Sequence, residues 1–177
     1  MEMNMESGII ETLKQEHDEI LNFIEKIRQS CIAFMEENKI CSEEFFKAVE
    51  FIRNYADKRH HQKEEQILFE EMIRQLGKPA VNLIQYGMLV EHELARFYVR
   101  ELETSLKAYE KQPDTENKLD IISHAMSYYF LLKRHIEKEN TVVFPYAQTH
   151  LSKEILAELD RESDEYEKAY RKDKSYF

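Results

Sequence analysis

Apolar residues recur every three or four positions over long stretches of this chain. Near the N-terminus the stripe is formed by Ile10, Leu13, Ile20, Ile24 and Ile27. This spacing puts the apolar side chains on one face of an α-helix, because a helix completes a turn in 3.6 residues. Similar stripes follow in three further long segments and in one shorter segment near the C-terminus. The pattern predicts long amphipathic helices rather than strands.

Short breaks separate the predicted helices, which run from about residue 8 to 38, 41 to 76, 80 to 109, 115 to 144 and 152 to 170. The clearest breaks are Gly77-Lys78-Pro79 and Gln112-Pro113, because Gly suits the end of a helix and Pro suits the start of the next. We therefore predict an all-α, up-down-up-down four-helix bundle in a single domain, residues 1–177. The bundle would cover about 8–148, and an additional short helix about 151–172.

Composition and charge narrow the range of partners. The chain has a net charge of -10, which argues against binding to nucleic acid or to anionic lipid. No apolar run approaches the roughly 18 residues that span a bilayer, and the N-terminus lacks the pattern of a secretion signal. Cys31 and Cys41 are too few for a disulfide framework and are expected to be reduced thiols. The expected location is the cytoplasm, with no membrane partner.

One short motif occurs twice in the chain. His60 precedes Lys63 and Glu64 in the first copy, and His135 stands at the same place in the second. The second copy ends at Glu139, and each copy has a Phe five residues after its Glu. Residues i and i+4 share one face of a helix, so each copy points an imidazole and a carboxylate the same way. Two such helices facing each other would form a cage for two metal ions.

Five of the seven histidines fall into two groups along the helices. His17, His92 and His135 each continue the apolar stripe of a different helix. His124 lies three turns before His135, too far to bind the same ion, and is predicted in the core or at its rim. His150 is predicted to be exposed. Burying several imidazoles together costs several kcal/mol unless something satisfies them, and a metal ion does so.

The second helix offers two adjacent candidates, His60 and His61, each with a glutamate four residues later. On an α-helix the two side chains point about 100° apart. The residues one and two turns before His60 are apolar, whereas those before His61 are polar. We therefore predict that His60 and Glu64 face the core, while His61 and Glu65 form a supporting or surface pair.

The candidate metal ligands are His17, His60, Glu64, His92, His135 and Glu139. Four imidazoles and two carboxylates suit a pair of iron ions (Fe²⁺/Fe³⁺) with each glutamate bridging both, and the same ligand types could hold manganese or zinc. No glutamate lies three residues before a histidine, so the Glu-x-x-His motif of ferritin-type sites is absent.

Four segments resemble the hemerythrin-like family of four-helix HHE cation-binding domains: Glu16 to Glu19, HHQKEEQILF at 60–69, Glu91 to Glu93, and HIEKENTVVFP at 135–145. The longer two are most similar to bacterial di-iron proteins implicated in repairing damaged iron–sulfur centres. The resemblance implies a non-haem di-iron centre with a bridging oxo or hydroxo group. It also implies binding of O₂ or nitric oxide, and metal roles for the six candidate ligands.

One position departs from the family pattern. Oxygen-carrying members have two histidines one turn apart on the third helix, but the residue one turn after His92 is Arg96. A protonated guanidinium cannot bind a metal. We therefore expect one iron to lack a histidine, with solvent, Tyr or Glu in its place or an open position. This disfavours reversible O₂ carriage and favours sensing, redox chemistry or iron handling.

Three hypotheses follow from the sequence. The leading one is a di-iron protein that senses or handles O₂, NO, peroxide or iron. The second is a di-iron redox enzyme that reduces peroxide or repairs iron–sulfur centres. The third is a metal-free helical interaction domain, which would have to satisfy its inward histidines with protein or water partners.

Overall fold

The computed structural model describes residues 8–37, 40 and 42–174, and every regular element within these ranges is helical. The elements are, in chain order, α1 (Ile9–Glu37), α2 (Ser42–Phe51), π-helical turns at Ile52–His61 and Glu64–Phe69, α3 (Glu70–Leu83), a π-helical turn at Ile84–Met88, α4 (Leu89–Lys111), α5 (Thr115–Lys138), a π-helical turn at Glu139–Val143, α6 (Phe144–His150) and α7 (Lys153–Lys174).

These elements form four long bundle helices. The predicted break after residue 76 is a sharp kink within α3, where Gly77 adopts φ 66° and ψ -150°. A positive φ is favourable for glycine because it has no Cβ, and Pro79 starts the next segment. Bundle helices 1 to 4 are, in order, α1, α2 to the kink, the kink to the end of α4, and α5 with α6.

Two apolar clusters fill the bundle, one towards each end. Bundle helices 1 to 4 contribute Ile24, Val49, Leu102 and Leu132 to one cluster, and Leu13, Met72, Ile84 and Phe144 to the other. Along the chain, helices 1 and 3 pass from the second cluster to the first, and helices 2 and 4 pass from the first to the second. The direction therefore alternates, and the predicted up-down-up-down bundle is confirmed.

The additional helix α7 packs along the outside of the bundle. Its Leu159 is buried in the second apolar cluster, and the Asp160 carboxylate accepts a hydrogen bond from the backbone N–H of Ile9 at 2.7 Å. Further along, the hydroxyls of Tyr166 and Tyr170 donate to backbone carbonyls of bundle helix 2, at 2.5 and 2.9 Å. The helix α7 thus joins the start of α1 to the middle of bundle helix 2.

Two smaller expectations concern cysteines and membranes. Cys31 is a buried free thiol, and burial raises its pKa to about 11. Cys41 lies outside the described residues, as does the predicted end of the first helix at Asn38. Among the helices that the structure describes, none combines the length and apolar character needed to cross a bilayer.

Candidate metal centre

A polar layer separates the two apolar clusters, and bundle helix 2 supplies it with two adjacent histidines. His60 and His61 are both buried, with 0% and 2% of their surfaces exposed. Of the two alternatives for His61, the surface position is therefore wrong. The reason is local: residues 52–61 form π-helical turns, and the wider turn reduces the angle between successive side chains below the 100° of an α-helix. Both imidazoles consequently point into the bundle.

The structure brings all six side chains predicted from the sequence into this layer and adds His61. Within the described residues, three overlapping groups have ligand atoms within 4.8 Å of one another: His17, His60, Glu64 and Glu139; Glu64, His92, His135 and Glu139; and His61, His92 and His135. We call His17 with His60 the first half-site, and the other three histidines the second half-site. The two glutamates face both half-sites.

Each carboxylate presents one oxygen to each half-site. Glu64 Oε1 lies 3.6 Å from His60 Nε2, and its Oε2 lies 3.5 Å from His92 Nε2. Glu139 Oε2 lies 3.0 Å from His17 Nε2, and its Oε1 lies 3.1 Å from the His135 Nε2 atom. This is the arrangement by which a carboxylate can bridge two cations.

The outer nitrogens of four imidazoles are held by acceptors. The Nδ1 pairs are His17 with Asn140 Oδ1 at 2.9 Å, His60 with Glu16 Oε2 at 2.9 Å, His92 with Glu65 Oε1 at 2.7 Å, and His135 with Glu91 Oε2 at 2.9 Å. When the ring is neutral and its Nδ1–H donates to such an acceptor, the Nε2 lone pair is available for a metal ion. Glu65 thus has a supporting position, on the His92 ring.

The layer contains many buried polar atoms that have no hydrogen-bond partner among the described residues. They include both carboxylate oxygens of Glu64, Nε2 of His60 and Nε2 of His61. Burying polar groups without partners is costly, and burying two carboxylates together costs more. A cation bound among these atoms would satisfy them, so this donor set fits metal ions.

Electrostatics distinguish the two glutamates. Burial and the nearby Glu139 carboxylate raise the pKa of Glu64 well above its ordinary value. Against the effect of burial, the adjacent His135 ring holds the pKa of Glu139 well below its ordinary value. That same contact outweighs burial at His135, whose pKa rises to about 9. A negative charge is thus favoured on only one of the two carboxylates in the protein alone.

Two imidazoles of bundle helix 2 are held in the neutral form that binds metals. Burial and the neighbouring His17 lower the pKa of His60 well below its usual value. Burial and the neighbouring His92 lower the pKa of His61 to about 3. Both rings are therefore neutral at neutral pH, with lone pairs available for coordination.

Arg96 lies outside the two half-sites. Its guanidinium donates to Asp57, Glu65 and Glu93 at 2.7 to 2.8 Å. Arg96 does not leave the second half-site short of a histidine, because the ring of His61 lies beside that of His92 there.

The remaining histidines lie where they were predicted. His124 is half-buried at the rim of the first apolar cluster, with its Nδ1 3.1 Å from the hydroxyl of Ser105. His150 is exposed, and its Nδ1 donates to the backbone carbonyl of Tyr146. Neither belongs to the metal-binding groups of the described residues.

Sequence reasoning missed the lysine and glutamate that support each half-site. Glu16 Oε1 accepts a hydrogen bond from Lys63 at 2.5 Å, and Glu91 Oε1 accepts one from Lys138. The signal was present, because the repeated motif contains a lysine in both copies and a Glu-His pair occurs in bundle helices 1 and 3. The two halves of the centre therefore follow one pattern of contacts.

Comparison with known proteins agrees with this geometry. Residues 8–147 match the hemerythrin HHE cation binding domain, and this range includes all seven inward side chains. No curated protein matches the chain. Because the match covers most of the chain, the protein belongs to the hemerythrin family of HHE cation-binding domains.

Proposed function

We propose that the protein binds two iron ions in this layer and uses them to sense or handle O₂, NO or peroxide in the cytoplasm. The observation that carries the proposal is the position of Glu64 and Glu139, each with one oxygen towards each half-site. Imidazole and carboxylate donors together suit iron. The iron pair would supply redox chemistry and coordination positions for a small ligand.

The residues divide unequally between the two positions. The first half-site offers two imidazoles, and the second offers three, with the two carboxylates shared. An ion in the first half-site would therefore have fewer protein donors and more room for an external ligand. In both half-sites the outer acceptors fix the ring orientation, so the chain itself determines which nitrogens face the ions.

A pocket reaches this layer beside His61, on the side of the second half-site. It lies between bundle helices 2 and 3, has a volume of about 340 Å³, and is lined in part by His61, Ala95 and Arg96. A water-sized molecule takes up about 30 Å³, so the pocket has room for O₂, NO or peroxide together with solvent. This supports a role in small-ligand binding.

Metal content and absorption test the proposal. After aerobic, iron-replete expression, we expect the purified protein to hold about two irons per chain and to absorb in the near-ultraviolet as a bridged ferric pair. Less than about one iron per chain would contradict the proposal. Two manganese or zinc ions per chain instead of iron would support a site for two metal ions but contradict iron as its metal.

Filling the pocket tests the route of the ligand. We expect Ala95→Phe to slow the reaction of the iron-loaded protein with NO or peroxide, measured by stopped-flow absorption, because the larger ring occupies the pocket. Ala48→Phe is a matched control, since Ala48 lines a different pocket between α1 and α2. Equal rates in the two variants, at equal iron content and melting temperature, would exclude this pocket as the route.

Redox turnover is a second candidate, because the pocket beside His61 has room for more than a diatomic molecule. Catalytic consumption of peroxide by the iron-loaded protein, lost in a folded His92→Ala variant, would favour the enzyme. Stable ligand binding without turnover would favour the sensor or carrier.

A further inference from the structure

The two halves of the centre share a pattern of contacts but differ in their surroundings. Lys63 supports Glu16 in the first half, and Lys138 supports Glu91 in the second. The Lys63 side chain is fully buried, whereas 46% of the Lys138 side chain is exposed. The difference arises from α7, because its Glu167 covers Lys63 and accepts a hydrogen bond from it at 2.7 Å.

Beside Lys63, Glu167 also pairs with the guanidinium of Arg59. Its carboxylate accepts hydrogen bonds from Arg59 Nε at 3.1 Å and Nη2 at 3.0 Å. Arg59 Nε lies 3.4 Å from Glu16 Oε1 as well. Two cations and two carboxylates thus form a compact, charge-balanced cluster, which consists of Glu16, Arg59, Lys63 and Glu167.

This cluster is connected directly to a histidine of the first half-site. The contacts run from Glu167 to Lys63 at 2.7 Å, from Lys63 to Glu16 at 2.5 Å, and from Glu16 to His60 Nδ1 at 2.9 Å. A carboxylate on the outer nitrogen of a metal-binding histidine raises the basicity of the ring. The negative charge that Glu16 presents to His60 therefore depends on which other cations hydrogen-bond to Glu16.

We propose that Glu167 is a positioning residue for the first half-site, acting on His60 through Lys63 and Glu16. By holding Lys63 and Arg59 it leaves the second oxygen of Glu16 to His60. Without Glu167, Lys63 and Arg59 would both pair with Glu16 alone, in a buried place where charges interact strongly. The inference deepens the proposed function, because it assumes that His60 binds one of the two ions.

Among the described contacts of α7, none supports the second half-site in this way. His135 depends on Glu91 and Lys138, and Lys138 is in contact with solvent. The helix α7 therefore makes the two metal positions unequal in electrostatic surroundings as well as in number of histidines. A change in Glu167 is expected to affect one position and spare the other.

The test compares Glu167→Gln with Glu165→Gln in the full-length chain. Glu165 is exposed on the same helix, so its variant loses the same charge away from the cluster. Metal-free protein is titrated anaerobically with Fe²⁺ against a competing chelator. Loss of a direct partner of a metal-binding histidine typically costs 10- to 100-fold in affinity, so we expect Glu167→Gln to weaken one of the two binding steps by roughly 3- to 10-fold. The other step, and both steps in Glu165→Gln, should stay unchanged.

A second measurement does not require metal. In the metal-free protein, Glu167→Gln should shift the imidazole ¹⁵N resonances of His60 and leave those of His135 in place. The control for a loosened α7 is Tyr170→Phe, which removes the hydrogen bond to the Asn54 carbonyl without altering charge. If Glu167 acts through its charge, Tyr170→Phe leaves the binding steps and the His60 resonances unchanged.

Three results would overturn the inference: equal effects in the Glu167 and Glu165 variants, equal weakening of both binding steps, or an effect of Tyr170→Phe as large as that of Glu167→Gln. Should Glu167→Gln fail to fold, Glu167→Asp keeps the charge and is expected to give nearly normal binding. Absence of iron binding by the unaltered chain would instead defeat the proposed function. The ¹⁵N comparison would still decide whether Glu167 acts on His60.

Discussion

Glu139→Gln is expected to remove most of the iron from both positions, because one carboxylate serves both half-sites. Its two oxygens lie 3.0 Å from His17 Nε2 and 3.1 Å from His135 Nε2. An amide would replace one oxygen with a hydrogen-bond donor and would remove the negative charge. Affinity at each position should fall by at least about 100-fold, beyond what loss of an indirect partner costs. Iron analysis after gel filtration measures the result.

The control is Glu137→Gln, which makes the same change at an exposed position two residues earlier in the same helix. It should retain the full iron content. His61→Ala provides a second comparison, because His61 belongs only to the second half-site, so its loss should weaken iron binding at that position and leave the first position unaffected. Full iron retention by Glu139→Gln would show that the carboxylate does not bridge.

Glu64→Gln is expected to have opposite effects on metal binding and on the stability of the metal-free protein. Glu64 and Glu139 are fully buried, with their ligand atoms within 4.8 Å of each other. Without a cation, Glu64 is buried beside the charged Glu139 only if it takes up a proton, which costs free energy at neutral pH because its pKa in the unfolded chain is lower. A neutral side chain of the same shape removes that cost, so we expect the free energy of unfolding of the metal-free protein to rise by about 1 to 3 kcal/mol.

Urea unfolding of metal-free protein at neutral pH measures this effect, with Glu137→Gln again as the exposed control. The same Glu64→Gln protein should bind iron weakly, because an oxygen is lost from one half-site. A metal-free Glu64→Gln protein less stable than the unaltered chain would contradict the prediction. It would mean that this carboxylate finds stabilising partners without metal.

The bundle was predictable because each long helix carries its own apolar stripe and the breaks contain Gly and Pro. The inward positions of His17, His92 and His135 followed from the same periodicity. His61 could not be placed in this way, because the prediction assumed 100° between adjacent residues. The π-helical turns that reorient it depend on hydrogen bonds from i to i+5, and no residue pattern in this segment indicated them.

The support around the centre was harder to predict for a different reason. Lys63 and Glu167 are more than 100 positions apart in the chain, and their contact depends on how α7 crosses the bundle. An amphipathic pattern predicts that such a helix packs somewhere but not against which neighbour. The acidic run that contains Glu167 is typical of a solvated helix surface, and only the fold shows that one of its members is enclosed.

The placement of the polar layer between two separate apolar clusters has a consequence for how the protein unfolds. Each cluster contains side chains from all four bundle helices. Between the clusters, the helices pack against one another mainly through the layer of imidazoles and carboxylates, here called the slab. In metal-free protein this slab is the weakest part of the bundle core, and its backbone amides should exchange hydrogen faster than the amides of either apolar cluster. Bound cations would cross-link the four helices at mid-height, so that the two ends melt as one cooperative unit.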